Sequence, residues 1–308
     1  MIVLNKCLCC YKNVRDSGKY HPECLKKLFG VSWIPQIMIN SRNFPLEVRK
    51  KAGKMSISGV QIKASARLDK HNRSLSIVDE GGTHILKPEP GEYPELPQNE
   101  NLCMNIAECL DIEVPPHGLF PMADGRLSYI IKRFDRAPGV RKIHIEDMAQ
   151  ILGLQPDSKY SSSLEKVGRA VLENTQNKYL NAIDFFERVI LSFVLGNGDM
   201  HLKNWSLLIP DDNRIRLAPC YDLVCTELYF PDSDESALTI NGKRSNLKKS
   251  DFQSLADYLE IGQKSVKNSF DKIIDSRIQI ISLIDDTADF KQKEEFKKIV
   301  QKQFNRIS

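Results

Sequence analysis

Apolar residues recur three and four apart through most of the second half of the chain, the spacing that gives a helix one apolar face. Leu164 to Asn174, Asn181 to Leu195, Asp251 to Leu259, Val266 to Ile284 and Phe290 to Phe304 carry it, and it reaches back to Ile145 to Leu152. The first half differs. There, apolar and polar residues alternate in short runs bounded by turn residues, as in strands with one buried face. Ser74 to Val78 and Thr83 to Leu86 flank Glu80-Gly81-Gly82 and predict one hairpin. His117 to Phe120 and Leu127 to Phe134 flank Asp124-Gly125 and predict another. Between them Asn99 to Leu110, with Leu102, Ile106, Ala107 and Leu110 on one side, predicts a helix. Within the helical half, Trp205 to Ile209 and Arg214 to Leu217 predict a short strand pair. The class is α+β and bilobed: an N-terminal segment over 1–50, a small mixed β-rich lobe over 51–135 and a mostly helical lobe over 136–308.

The bulk numbers narrow this picture little. With 308 residues, 41% hydrophobic and 27% charged, the chain has the makings of a globular protein with a substantial core. A net charge of +4 suits an anionic ligand but makes no nucleic-acid platform, so no direct nucleic-acid contact is expected. The best apolar run is broken by Asp184, Glu187 and Arg188, which argues against a membrane span. The eight cysteines cluster at the N-terminus or scatter, and the cytoplasm is the expected compartment. Cys7, Cys10, His21 and Cys24 form two pairs with the spacing of a small zinc knuckle; buried free thiols are the alternative, and Cys9 is a competing ligand.

The densest chemistry follows the most apolar helix. Asn197-Gly198-Asp199-Met200-His201-Leu202-Lys203-Asn204 delivers an acid, an imidazole, an amine and an amide, and Tyr221-Asp222 comes after the short strand pair. An Asp, an Asn five residues on and a second Asp beyond two strands is the layout of a phosphoryl-transfer catalytic loop. Upstream, Ser56-Ile57-Ser58-Gly59-Val60-Gln61-Ile62-Lys63 reads as a small-residue hairpin tip. Lys87 then ends a strand, and Glu100 on the next helix is the candidate partner of its ammonium.

Taken in order, Ser56 to Lys63, Lys87, Ile131 to Arg136, Asn197 to Asn204 and Ala218 to Asp222 resemble the HipA-like kinases of bacterial toxin–antitoxin systems. That resemblance implies a protein-kinase-like fold and ATP-dependent phosphorylation of an aminoacyl-tRNA synthetase. By it Asp199 is catalytic, and Asn204 and Asp222 hold magnesium. Ser58, Gly59, Val60, Gln61, Ile62 and Lys63 cover the phosphates that Lys87 contacts, and Lys132, Arg133 and Phe134 match the inter-lobe strand that holds the adenine. His201, Lys203, Asn204, Tyr221 and Asp222 complete the ATP site, and Ser56 and Ser58 are candidates for inhibitory autophosphorylation. Full-length relatives carry roughly a hundred residues ahead of the phosphate loop, the size of a small domain. Here 55 residues precede Ser56. That is similar to the short HipT branch, whose partners are a small HipS-like protein and a HipB-like DNA-binding antitoxin, and whose target is the tryptophanyl synthetase. Two other classes fit parts of the pattern. A small-molecule kinase of the aminoglycoside or choline type shares the Gly198-Asp199 loop, and a regulatory pseudokinase would share the fold but not the intact acids.

Overall fold

A computed structural model describes residues 5–14, 18–52, 61–287 and 289–308. Ser56, Ser58, Gly59 and Val60 of the expected phosphate loop lie outside the described residues. The chain divides into two compact units. The first takes in Met1–Asn105, Pro115–Arg141 and Asp285–Lys291, and the second Ile106–Val114, Lys142–Ile284 and Gln292–Ser308.

The first unit contains α1 (Pro22–Phe29), α2 (Phe44–Ala52), β1 (Ala64–Asp69), β2 (Ser74–Ile77), β3 (His84–Pro88), most of α3 (Leu96–Cys109), β4 (His117–Pro121) and β5 (Leu127–Lys132). Its strands form one antiparallel sheet in the order β2-β1-β3-β5-β4. The β4–β5 hairpin is the one the Asp124-Gly125 turn predicts. The other expected hairpin is not formed. β1 lies between β2 and β3, with Ala66 opposite Ile77 on one side and His84 on the other. Alternation dictates which face a strand buries but not which strand it pairs with, and β1 offers both of its edges. Leu86, Phe120 and Tyr129 are fully buried at the centre of this unit.

The N-terminal segment belongs to the same unit rather than standing apart. Tyr20 stacks on Phe120 with ring centroids 4.7 Å apart. Its hydroxyl donates to Leu119 O at 2.8 Å, and the Leu28 carbonyl is 2.9 Å from His84 Nε2. These contacts bury a segment too short to hold a core of its own.

The second unit is mostly helical, with β6 (His144–Asp147), α4 (Met148–Ile151), α5 (Leu164–Asn174), α6 (Lys178–Val194), β7 (Ser206–Ile209), β8 (Arg216–Leu217), α7 (Lys249–Tyr258), α8 (Gln263–Asp275), α9 (Arg277–Asp285) and α10 (Lys293–Ile307). The three strands form a small sheet, β6-β7-β8. Residues 145–152 are therefore not one helix. Ile145 and Glu146 pair with Leu208 and Leu207, and a capping box between Asp147 and Gln150 starts the helix only at Met148. The helix expected over 266–284 also splits, at Ser276, whose hydroxyl donates to Lys272 O at 2.8 Å. Such back-bonding competes with the helical ladder and bends it. Among the described residues no helix is long and apolar enough to cross a membrane.

Candidate active site

α6 is the apolar helix that delivers the candidate catalytic stretch, Asn197 to Asn204. Phe185, Phe186, Ile190, Leu191 and Val194 are buried along it, and so is Arg188. That arginine pairs with Asp184 on its own helix and donates to Ala218 O at 2.6 Å. One buried guanidinium thus ties α6 to the segment that leads to Asp222. Beyond α6 the chain turns through Gly196, at φ +65°. A Cβ on Gly198 would lie 2.4 Å from Asp234 O, so only glycine passes there. The Gly198 N–H donates to Thr226 Oγ1 at 2.8 Å.

The turn that follows is braced from inside. Asn197 Oδ1 accepts from the Asp199 N–H at 3.1 Å, and the His201 N–H donates to Asp199 O at 2.8 Å. Asn204 Nδ2 donates to that same carbonyl at 3.0 Å. With its amide nitrogen used in this way, Asn204 has Oδ1 left to offer a hard cation. Tyr160 adds a contact that nothing in the sequence pattern pointed to. Its hydroxyl donates to Asp199 Oδ1 at 2.7 Å, and its ring packs edge-on against His201, 5.3 Å between centroids. Burial and the Asp199 carboxylate push the Tyr160 phenol up, so it stays a proton donor. Lys159 O accepts from the Leu202 N–H at 3.1 Å, which fastens the Tyr160 segment to the loop.

His201 is buried, and its Nδ1 has no hydrogen-bond partner among the described residues. Burial holds its imidazole below the usual value, and Lys159 pushes the same way, against the opposing pull of the Asp199 and Asp222 carboxylates. Both acids therefore act on one ring. Asp222 takes φ +60°, a left-handed conformation unusual for a residue with a side chain. The Tyr221 hydroxyl lies 2.5 Å from Ser206 Oγ and donates to Lys203 O at 3.0 Å, which ties its side chain to the loop that carries Asn204.

In the first unit Lys87 Nζ meets Glu100 Oε1 at 2.7 Å, and the two side chains are only 8% and 1% exposed. β3 presents the lysine and α3 the glutamate, the partner that the order of strand and helix suggests. Gln61 Nε2 donates to Pro88 O at 2.7 Å, next to that lysine in the chain. Ile62 and Lys63 are half-buried. The side chains expected to hold the adenine have protein partners: Lys132 Nζ donates to Lys27 O at 3.3 Å, and Arg133 makes a two-pronged contact with Asp135. Phe134 is half-buried beside them. Cys7, Cys10, His21 and Cys24 come together, with their ligand atoms all within 4.8 Å of one another.

The model of the HipA-like C-terminal domain family matches residues 55–282. Candidate kinase Y4dM of Sinorhizobium fredii is 37% identical over 238 residues, which cover 72% of this chain and 58% of that protein. A candidate kinase of Haemophilus influenzae is 32% identical over 207 residues, 63% of this chain and 60% of that one. The chain thus spans about three-fifths of the length of these curated relatives. Among solved structures, HipA in the Shewanella oneidensis MR-1 toxin–antitoxin complex with HipB and operator DNA matches with a TM-score of 0.68 at 20% identity, over 87% of this chain and 70% of that one. The Helicobacter pylori proinflammatory kinase CtkA matches at 0.56 and 17%, over 82% and 93%. Both are protein-kinase-like folds, so the fold class expected from the sequence is the one observed.

Proposed function

The chain belongs to the HipA-like C-terminal domain family, and from that premise we propose that it moves the terminal phosphoryl group of ATP onto a serine or threonine hydroxyl of a protein. The observation that carries this reading is the brace inside the catalytic loop. Asn204 spends its amide N–H on the Asp199 carbonyl at 3.0 Å. That leaves an amide oxygen for a cation and the Asp199 carboxylate for a hydroxyl. The oxygen donors of Asn204 and Asp222 fit magnesium, a hard cation that neutralises phosphate charge when bound.

The residues divide the work. Asp199 orients the acceptor hydroxyl and takes its proton as the new oxygen–phosphorus bond forms and the bond to the ADP oxygen breaks. Tyr160 fixes one of the two carboxylate oxygens and leaves the other for the substrate. Lys87, kept in place by Glu100, supplies a cation to the phosphates.

We read the protein further as the kinase toxin of a toxin–antitoxin system, acting in the cytoplasm. The likeness to Shewanella HipA, whose structure holds HipB and operator DNA, supports this. A HipB-like DNA-binding antitoxin and a small HipS-like protein are then its partners, and an aminoacyl-tRNA synthetase is its target, tryptophanyl by the HipT resemblance. Phosphorylation of Ser56 or Ser58 would switch it off, since a phosphate there adds about −1.5 to −2 charge where ATP phosphates must lie.

Labelled ATP and magnesium, given to the purified chain with and without cell extract, test the reading. A labelled band of synthetase size that is lost with Asp199→Asn supports it. A labelled small molecule instead makes the chain a small-molecule kinase. No transfer to protein, extract or self overturns the catalytic reading.

A further inference from the structure

We propose that Cys7, Cys10, His21 and Cys24 bind one zinc ion in a structural knuckle that anchors the N-terminal segment to β4 and α3. In a tetrahedral site with Zn–S near 2.3 Å and Zn–N near 2.0 Å, ligand atoms stand roughly 3.5–3.8 Å apart. Here Cys10 Sγ is 3.4 Å and Cys24 Sγ 3.9 Å from His21 Nδ1, and no pair in the four exceeds 4.8 Å. The two sulfur–nitrogen separations thus lie near the tetrahedral value, and the remaining ones are short enough for all four atoms to close on one ion.

The surroundings point the same way. His21 Nε2 lies 3.0 Å from Asn13 O. A carbonyl can only accept, so Nε2 carries the hydrogen and Nδ1 turns a bare lone pair toward the sulfurs. Metal-bound histidines are held in this manner by a second hydrogen bond from the other nitrogen. The His21 backbone N–H points at Cys7 Sγ, 3.4 Å away. A disulfide would join two of the three sulfurs and leave the third and the imidazole without a role. Cys9 is not one of the four, although its thiol hydrogen-bonds with Cys7 and Cys24. It is buried, and a Cβ on Gly118 would come within 2.5 Å of its sulfur, so it fills the space between the cluster and β4.

The knuckle is also fastened to the elements it touches. Leu8 O accepts from the Leu119 N–H at 3.0 Å. Asn105 Nδ2 donates to Cys9 O at 2.8 Å, and Asn101 Nδ2 reaches Leu8 O at 3.4 Å. The turn between the first two ligands thus rests on β4 and on α3, the helix that carries Glu100.

The test uses the full chain, purified without a polyhistidine tag. Elemental analysis should find about one zinc per chain, as a closed four-ligand site implies. Exchange for cobalt(II) should give the visible bands of a tetrahedral ion and thiolate-to-cobalt charge transfer. Cys10→Ser and Cys24→Ser should lose the metal, whereas Cys109→Ser, outside the cluster, should keep it. Removing zinc with a chelator should speed amide hydrogen exchange in α3 and β4. A folded wild-type chain without zinc or cobalt binding, or with Cys7, Cys10 or Cys24 in a disulfide, overturns the metal site. Unchanged exchange in α3 after zinc removal overturns the anchoring role. Should the serine variants fail to fold, the cobalt spectrum of the wild-type chain decides by itself.

Discussion

Tyr160 and Asp199 are joined by a 2.7 Å hydrogen bond from phenol to carboxylate, although 38 residues separate them in the chain. A hydrogen bond to a charged group is worth about 1.5–3 kcal/mol. On the proposed function it sets which carboxylate oxygen is left for the acceptor hydroxyl.

Tyr160→Phe should lower the turnover of phosphoryl transfer by roughly tenfold, in line with the loss of one such bond. The affinity for magnesium–ATP should stay unchanged. Asp199→Asn should lose roughly 10²–10⁴-fold, the usual effect of removing a proton acceptor. Initial-rate kinetics beside calorimetry of nucleotide binding separates the two effects. Faster turnover in Tyr160→Phe would make the tyrosine a plug rather than a guide.

The Lys87–Glu100 pair is buried, so breaking it from one side strands a charge. Lys87→Met and Glu100→Gln should each destabilise the chain, the lysine change by about 3–5 kcal/mol. Combined as Lys87→Met with Glu100→Leu, the change should recover most of that stability, because two apolar groups of similar size replace the pair. Nucleotide affinity should remain lost. Urea unfolding and ATP titration on the same three proteins check this. A double variant that binds ATP normally would leave the lysine without a part in the site.

His117 supplies a pH dependence of stability. Burial pushes its imidazole down to about 3, from an ordinary 6.5, and its Nδ1 is 2.8 Å from Asn101 Oδ1. The unfolded chain gains a proton here below pH 6.5 while the folded chain stays neutral, so acid favours the unfolded state. Above pH 6.5 the residue contributes nothing to the slope. Between pH 6.5 and about 5, ahead of most carboxylates, it should cost about 1.4 kcal/mol per pH unit. His84 and His201, both held low chiefly by burial, add in the same direction. Denaturant unfolding at a series of pH values measures the slope, and a flat profile over that range removes the effect.

The parts of the fold that were readable from the sequence are those dictated by local patterns. Amphipathic spacing placed α5 and α7 almost to the residue, and the Asp-Gly turn set the β4–β5 hairpin. The order of strand, lysine and helix put Glu100 within reach of Lys87. What escaped depends on distant parts of the chain. No periodicity reveals that β1 separates β2 from β3, since pairing is settled by the whole sheet. The misread stretch 145–152 has apolar residues at helical spacing, but Ile145 spends its backbone bonds on β7. Tyr160 lies in an irregular segment between short turns, with nothing nearby to mark it. Arg188 interrupts an apolar helix and looks like a surface charge until its partner Ala218 O is seen.

If Asp222 holds magnesium as proposed, its left-handed backbone sets fitness for the reaction against fitness for folding. Glycine enters that region without the steric cost a side chain meets. Strain of this kind runs to about 1 kcal/mol or more. Asp222→Gly should therefore raise the thermal midpoint while abolishing magnesium-dependent transfer, and calorimetry beside a transfer assay would show the two moving in opposite directions. A selection for heat resistance alone would drift toward inactive chains at this position.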